Sequence, residues 1–403
     1  MENTKYEIYQ TIQKAREHIA KLVMEQLDRI ELMKKEANFM DFSNLKKVIV
    51  GIVPGDGIGP EITKNAKSIL EFLLKDEIKS GAIELRDIEG LTIENRVKVM
   101  KAIPDDVLAE IKKCHVILKG PTMTPRKGDP WPNIESANVA MRRYLDLFAN
   151  VRPVRVPHLG IDWMFFRENT EGAYVLGSKG LIVNEDLSLD FTAVTKQGSE
   201  RIIRAGFDYA KKNHINRVSI VTKANVIKTT DGMFLNIAAR IANEYPEIEW
   251  DDWYVDIMTA KLIDPARQKH FRVIIAPNLY GDILTDQAGQ IQGGVGTAGS
   301  ANIGKNYAMF EAIHGTADKM IAEGRGKYAD PSSIIKAAAL LLNHIGYSEK
   351  AKKLEMALEI CAQYERKVKI TGRDTGVTGS VYAKYIMDTI TDPKLEEKYQ
   401  SYQ

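Results

Sequence analysis

Lys46-Lys-Val-Ile-Val-Gly-Ile-Val53 is an almost unbroken apolar run that enters Pro54-Gly-Asp-Gly-Ile-Gly-Pro60 directly and gives way to a helical pattern from Glu61. Such a run reads as a buried strand, and Pro60 suits the first position of a helix because its missing N–H is not needed there. The glycines at 55, 57 and 59 do not have the G-x-G-x-x-G spacing, so the turn is not assigned as a Rossmann phosphate cradle. Strand and helix signals then alternate: Ile83–Asp87, a helix after Pro104, Val116–Lys119. This alternation predicts an α/β fold with a mainly parallel twisted sheet.

The 403 residues suggest two domains or more, and 44% hydrophobic with 27% charged is ordinary globular composition. With 56 basic and 54 acidic residues the net charge is +2, so no global field favours nucleic acid or membrane. An anionic ligand must be held by local Arg and Lys. Cys114 and Cys361 form no pairing or metal pattern, which fits a reducing compartment. No apolar run is long enough to span a bilayer and no signal-peptide core is present, so a cytoplasmic location is expected. Residues 4–37 carry apolar residues at three- and four-residue steps without Gly or Pro, predicting one long amphipathic helix packed on its own subunit. The heptad slips after Leu22, so a coiled coil through this helix is the weaker alternative.

Candidate chemistry begins with Asn278-Leu-Tyr-Gly-Asp-Ile-Leu-Thr-Asp286, which follows an apolar strand from Phe271 to Pro277 and reads as helical through Gln292. Asp282 and Asp286, four apart, share a helix face and offer hard oxygen ligands of the kind that Mg²⁺ or Mn²⁺ takes. On the pair alone, a helix-terminal Asp282 and a solvated Asp286 are the better account. Arg142, Arg152 and Arg167 could together hold a multiply anionic ligand, although each taken singly is better explained by an ordinary surface ion pair.

The ordered set Gly55-Asp-Gly-Ile-Gly-Pro-Glu61, Ser136-x-Asn-x-x-x-Arg142, Ala149-Asn-Val-Arg-Pro153, Arg167-Glu-Asn-Thr-Glu-Gly172 with Tyr174, Lys223-Ala-Asn225, Asn278 to Asp286 and His314-Gly-Thr-Ala317 closely resembles the metal-dependent β-decarboxylating dehydrogenases acting on isocitrate, homoisocitrate and 3-isopropylmalate. The resemblance covers about residues 46–390. It implies oxidation of a 2-hydroxy acid followed by loss of the β-carboxylate, supported by a chelated divalent cation. Asp282 and Asp286 are implied cation ligands, with Asp256 supplied by the other subunit of a homodimer. Lys223, also from the partner, and Tyr174 are the implied proton-transfer groups. Either would need a pKa lowered toward neutrality by the metal and nearby cations.

Arg142, Arg152 and Arg167 match the substrate-carboxylate clamp. Ser136 and Asn138 stand where isocitrate enzymes carry polar residues and isopropylmalate enzymes apolar ones. Buried against an isopropyl group they would be unpaired, so the tricarboxylate isocitrate is preferred over homoisocitrate, the nearest rival. Dinucleotide binding is implied for Thr124, Asn225, Glu311, His314, Gly315, Thr316, Ala317, Lys319 and Asp330. The chain departs from the family at Asp318-Lys-Met320, in extra residues before Asp330, and in a longer loop over Arg126–Trp131. The positions of the NADP phosphate cage fall near Gly379 and Ala383, with Lys384 close by, so NAD is preferred over NADP. The implied fold has two domains and is not a true Rossmann fold: a large domain of 46–147 and 293–403, a small one of 148–292 with dimer contacts and metal aspartates, and an extension over 1–45. A non-catalytic regulatory subunit would be expected to lose catalytic or metal groups, and all are present. The N-terminal helix contributes no recognisable site residue, is expected to be dispensable for chemistry, and could support a higher oligomer.

Overall fold

The computed structural model describes residues 2–35, 39–126, 128–176, 179–294 and 298–402. Glu36 and Ala37, at the end of the expected long helix, and Lys127 in the loop before Ser136 lie outside the described residues. Internal contacts group the chain into two units.

The larger unit takes in 39–165, 261–270 and 284–402. Strand β1 (Val48–Val53) is parallel to both its neighbours, β2 (Ile83–Asp87) and β3 (Val116–Lys119), with Val50 level with Leu85 on one side and Val116 on the other. β3 is parallel to β12 (Ala308–Ala312), which runs antiparallel to β11 (Gly299–Ile303). β11 is antiparallel to β4 (Ala149–Val156), and β5 (Ile161–Glu168) follows it in the order β2-β1-β3-β12-β11-β4-β5. Parallel pairings thus predominate, and β11 is antiparallel to both of its neighbours.

Strand β1 is apolar throughout because helices cover it. The Gly59–Leu73 helix sinks Ile62, Ile69 and Leu70 completely, each worth about 1.5–3 kcal/mol of burial. The Ala137–Tyr144 helix packs Ala137, Ala140 and Met141 into a core with Ile117 and Met309.

The Gly-rich turn works as a backbone latch. Gly55 and Gly57 have φ of +74° and +61°, the left-handed region that glycine reaches without strain. A Cβ on Gly57 would stand 2.1 Å from the Thr316 carbonyl oxygen, and one on Gly55 2.2 Å from that of Pro121. Across these close approaches Ile58 N–H donates to Thr316 O (3.0 Å) and Asp56 N–H to Pro121 O (2.7 Å). The following helix starts at Gly59, two residues ahead of the expected Glu61, so Pro60 stands second in its first turn and not first.

The smaller unit takes in the N-terminal helix (Glu2–Lys35), 166–260 and 271–283. β8 (Arg217–Thr222) is parallel to β10 (Val273–Ala276) on one side and to β9 (Glu249–Tyr254) on the other. β6 (Leu181–Ile182) and β7 (Ser188–Leu189) make a short antiparallel ribbon. The N-terminal helix buries Leu22 and Met33 but leaves Ile12, Val23, Leu27 and Leu32 exposed.

The helix expected from Ile134 begins at Ala137. The reason is Arg96, fully buried on its own helix, which donates to the carbonyls of Ala102 (2.8 Å), Met123 (2.6 Å) and Glu135 (2.9 Å). With the Glu135 carbonyl engaged there, residues 134–136 stay outside the helix. No helix among the described residues is long and apolar enough to cross a membrane.

Candidate active site

In the larger unit, six expected site residues converge on one cleft. Asn138 and Arg142 come from the Ala137–Tyr144 helix, Arg152 from β4, Glu311 from the end of β12, and His314 and Gly315 from the loop beyond it. The helix presents Arg142 here because its apolar residues are spent on the core. Ser136 occupies the N-cap position but makes no side-chain capping bond, so its hydroxyl is not committed to the helix end. Asn138 Oδ1 accepts from Thr122 Oγ1 (3.0 Å).

The charges are held by buried partners. Lys119, with no exposed side-chain surface, lies 3.2 Å from Glu311, and its ammonium also donates to Gly120 O (2.7 Å). Arg142 reaches the other Glu311 oxygen (3.4 Å), and Asn302 Nδ2 donates to that oxygen at 2.8 Å. Burial pushes the Glu311 carboxyl up, but Lys119, Arg142 and the Asn302 bond more than offset this and hold it at about 2. Burial lowers the Lys119 pKa against the pull of Glu311. Because Nζ keeps two oxygen partners and Arg142 adds a second cation, the ionised cluster is the state the geometry supports. Glu311 therefore sets Arg142 in place. Arg152 donates from Nη1 to Thr285 Oγ1 (2.7 Å) and Asp286 Oδ1 (3.0 Å).

The smaller unit holds a second set. Arg167, 1% exposed, donates to Asn278 Oδ1 from Nε (3.0 Å) and Nη2 (2.7 Å) and pairs through Nη1 with Asp282. The Tyr174 hydroxyl donates to the other Asp282 oxygen at 2.5 Å, and the Arg167 guanidinium stands 5.2 Å from the Tyr174 ring centre. Lys223 Nζ lies 2.5 Å from Asp256 Oδ1, which holds the Asp256 carboxyl below its usual range. Lys223 backbone N–H is anchored by buried Asp231 (2.7 Å). Asn225 is exposed in the turn after β8.

The aspartates at 282 and 286 lie one turn apart on the Asn278–Ile291 helix. Asp256, in the first turn of the Val255–Leu262 helix, pairs with Lys223 and not with them. Among the described residues no three His, Cys, Asp or Glu side chains form a metal-binding group. The donors fit a hard cation in kind: two carboxylates, partly or largely exposed, on successive turns.

The expected dinucleotide residues are less concentrated. Thr124 is exposed in the loop before Ser136, and Lys319 is exposed on the short Asp318–Ala322 helix. Thr316 is clamped by the glycine turn, and Ala317 takes a left-handed φ of 53°. Asp330 accepts from Ser332 N–H (2.9 Å) at the head of the next helix. Lys384 pairs with Asp388. His314 Nε2 and Arg142 Nε are buried and meet no hydrogen-bond partner among the described residues, which suits a polar ligand in the cleft they line.

Sequence reading passed over three supports. Asp56 accepts from Ile93 N–H (2.8 Å) and Met123 N–H (2.7 Å), fixing the start of the loop that leads to Ser136, while burial raises its pKa. Arg96 fixes both ends of that loop. Lys119 ends an apolar strand and has no local signal of its partner 192 residues away at Glu311.

The isocitrate/isopropylmalate dehydrogenase family matches residues 49–388. An NADP isocitrate dehydrogenase of Rickettsia prowazekii is 37% identical over 76% of this chain, which spans 62% of that protein's length. A homoisocitrate dehydrogenase of Methanocaldococcus jannaschii is 36% identical over 77% of this chain and 89% of its own. The crystal structure of an isocitrate dehydrogenase from Methylococcus capsulatus superposes with a TM-score of 0.73 at 32% identity, covering 85% of this chain and 99% of the other. With a match that spans both units and every expected site residue, the chain belongs to the isocitrate/isopropylmalate dehydrogenase family.

Proposed function

We propose that the chain is an isocitrate dehydrogenase that oxidises and decarboxylates isocitrate to 2-oxoglutarate and CO₂, using NAD in preference to NADP. The observation that carries the reading is the head of the Ala137–Tyr144 helix. The Ser136 hydroxyl is not used for capping, and Asn138 lines the same cleft as Arg142 and Arg152. A polar Asn138 in that cleft and a Ser136 hydroxyl not spent on capping suit a third carboxylate, and an isopropyl group there would set these polar groups against apolar surface. Homoisocitrate is the second reading, because one further methylene changes the reach of that carboxylate and not its chemistry.

Arg142, Arg152 and Arg167 hold the substrate carboxylates, and Asp282, Asp286 and a partner's Asp256 would hold Mg²⁺ or Mn²⁺. When bound, such an ion polarises the 2-hydroxyl and stabilises negative charge on the oxygen left after decarboxylation. Lys223 and Tyr174 then move the protons: one takes the hydroxyl proton as hydride leaves the same carbon for the dinucleotide, the other protonates the carbon from which CO₂ departs. The reading includes a homodimer in which Lys223 and Asp256 serve the neighbouring site. The large domain is taken as 46–147 with 293–403 and the small one as 148–292, whereas the contact units change at 165/166, 260/261, 270/271 and 283/284. Retention of Tyr174, Lys223 and all three aspartates argues against a non-catalytic subunit.

Initial rates with isocitrate, homoisocitrate and 3-isopropylmalate, each with NAD and NADP and with or without a chelator, test the proposal. The expected outcome is fastest turnover of isocitrate with NAD, abolished by chelation. Faster turnover of either other acid would overturn the substrate, and turnover surviving exhaustive chelation would overturn the metal.

A further inference from the structure

We propose that Arg29 of the N-terminal helix is a positioning residue for the reaction, holding the 168–172 turn through which Arg167 and Tyr174 are set. The inference rests on the reading of Tyr174 as a proton-transfer group.

Arg29 donates from Nη1 to Glu171 Oε1 (2.9 Å) and from Nη2 to Thr170 Oγ1 (3.0 Å). Its side chain is 20% exposed and that of Glu171 only 3%. The turn it grips is a concentration of buried negative charge. Glu168 accepts from Thr170 N–H (2.9 Å), Thr170 Oγ1 (2.7 Å) and Glu171 N–H (2.6 Å). Glu171 accepts from Thr195 N–H (2.8 Å) and Thr195 Oγ1 (2.5 Å). Burial and the neighbouring Glu171 carboxylate push the Glu168 carboxyl up to about 7. Two buried carboxylates side by side persist only with nearby cations. Arg201, which donates to Thr170 Oγ1 (2.7 Å), supplies one. Arg29 supplies the other, and it comes from a segment outside the family match.

From the turn, contacts run without a gap to the phenol. The Glu171 carbonyl accepts from Asn278 Nδ2 (2.9 Å), and Asn278 Oδ1 takes two bonds from Arg167. Arg167 pairs with Asp282, which accepts the Tyr174 hydroxyl. The same helix grips the chain beyond Tyr174 as well. Glu25 pairs with the Lys179 ammonium, and His18 Nε2 donates to the Lys179 carbonyl (2.7 Å). The Ala173–Leu176 helix that carries Tyr174 is thus bracketed in sequence by two anchors from one N-terminal helix. Loss of Arg29 leaves Glu171 short of a countercharge. Either a carboxyl takes up a proton or the turn shifts, and a shift moves the carbonyl that orients Asn278.

The test uses the full chain with Arg29→Met and Arg29→Lys. Hydrogen exchange over 168–176 is followed together with steady-state rates. In Arg29→Met, exchange over 168–176 should quicken while the sheet strands keep wild-type protection. kcat should fall by roughly tenfold or more with KM changed far less, as expected for misplacement of a catalytic group. Arg29→Lys, which keeps the charge and loses one arm of the fork, should recover part of kcat. Wild-type exchange over 168–176 and wild-type kcat in Arg29→Met would overturn the proposal, as would a loss confined to global thermal stability. If Arg29→Met does not fold, Arg29→Lys carries the same two readouts, and wild-type values in it overturn the proposal. A wild-type chain inactive on all three acids would instead defeat the proposed function, and the exchange result would still decide whether Arg29 sets the turn.

Discussion

Each aspartate expected to ligate the cation is already matched to a cation of its own chain: Asp282 to Arg167, Asp286 to Arg152, Asp256 to Lys223. This pairing makes buried arginines tolerable, since an unpartnered guanidinium at 1% exposure would be very costly. On the proposed reading, substrate carboxylates and a divalent cation arrive together, and each side exchanges one opposite charge for another. Ser136 stands outside that exchange, and this makes it a clean probe of substrate choice. Its hydroxyl is expected to bond the third carboxylate of isocitrate. Ser136→Ala should cost roughly 1.5–3 kcal/mol, or about 10- to 150-fold in kcat/KM for isocitrate. Ser136→Asp should cost more, because it sets an anion against an anion. If the hydroxyl served only the helix, both variants would alter thermal stability and leave the isocitrate to 3-isopropylmalate rate ratio at its wild-type value. Measuring that ratio separates the two.

Elements defined by local pattern were legible in the sequence. β1, β3 and β10 follow apolar runs and β2 an alternating one, and their bounds fall within two residues of the expected ones. The Asn278–Ile291 helix ends one residue short of expectation. What sequence could not supply is what each element is held by. The start of the Ala137–Tyr144 helix depends on Arg96, a residue type usually assigned to the surface and here fully buried. Glu311 stands just ahead of the recognisable His314–Ala317 loop, yet its partner Lys119 is distant in the chain, and only the parallel pairing of β3 with β12 sets Lys119 level with it. Spacing assigned the glycine turn no phosphate role, and its latch to Thr316 needed coordinates. That latch can be tested. Gly57→Ala would force an L residue to φ +61° and press its Cβ to 2.1 Å from a backbone oxygen that cannot swing aside. The variant should lose roughly 1–3 kcal/mol of stability. Because Thr316 belongs to the His314–Ala317 loop, KM for the dinucleotide should rise more than KM for the acid. Equal rises in both, or none, would mean that the latch is purely structural.

At the scale of the whole molecule, each chain by itself carries two aspartates on one helix and a third that sits with Lys223. On the proposed reading a second copy completes the carboxylate set. The proposed homodimer supplies the second copy, with Lys223 and Asp256 of one subunit completing the site that holds Tyr174, Asp282 and Asp286 of the other. Mixing two inactive variants tests this directly. Tyr174→Phe removes a group that stays in its own site, and Lys223→Met removes one that acts in the neighbour's. In a hybrid dimer both lesions fall in the same site, and the other site is intact. Random exchange makes about half of the dimers hybrid, so roughly a quarter of wild-type activity should return, because a hybrid has one working site of two. The control mixes Tyr174→Phe with Asp282→Asn subunits, whose lesions both act in cis. Every hybrid site then carries one defect and no activity returns. Recovery in the first mixture and silence in the second is the expected pattern. Silence in both, with subunit exchange demonstrated by mass, would mean that a single chain assembles its own site, and Lys223 and Asp256 would then have to reach the Asp282–Asp286 helix from within the chain.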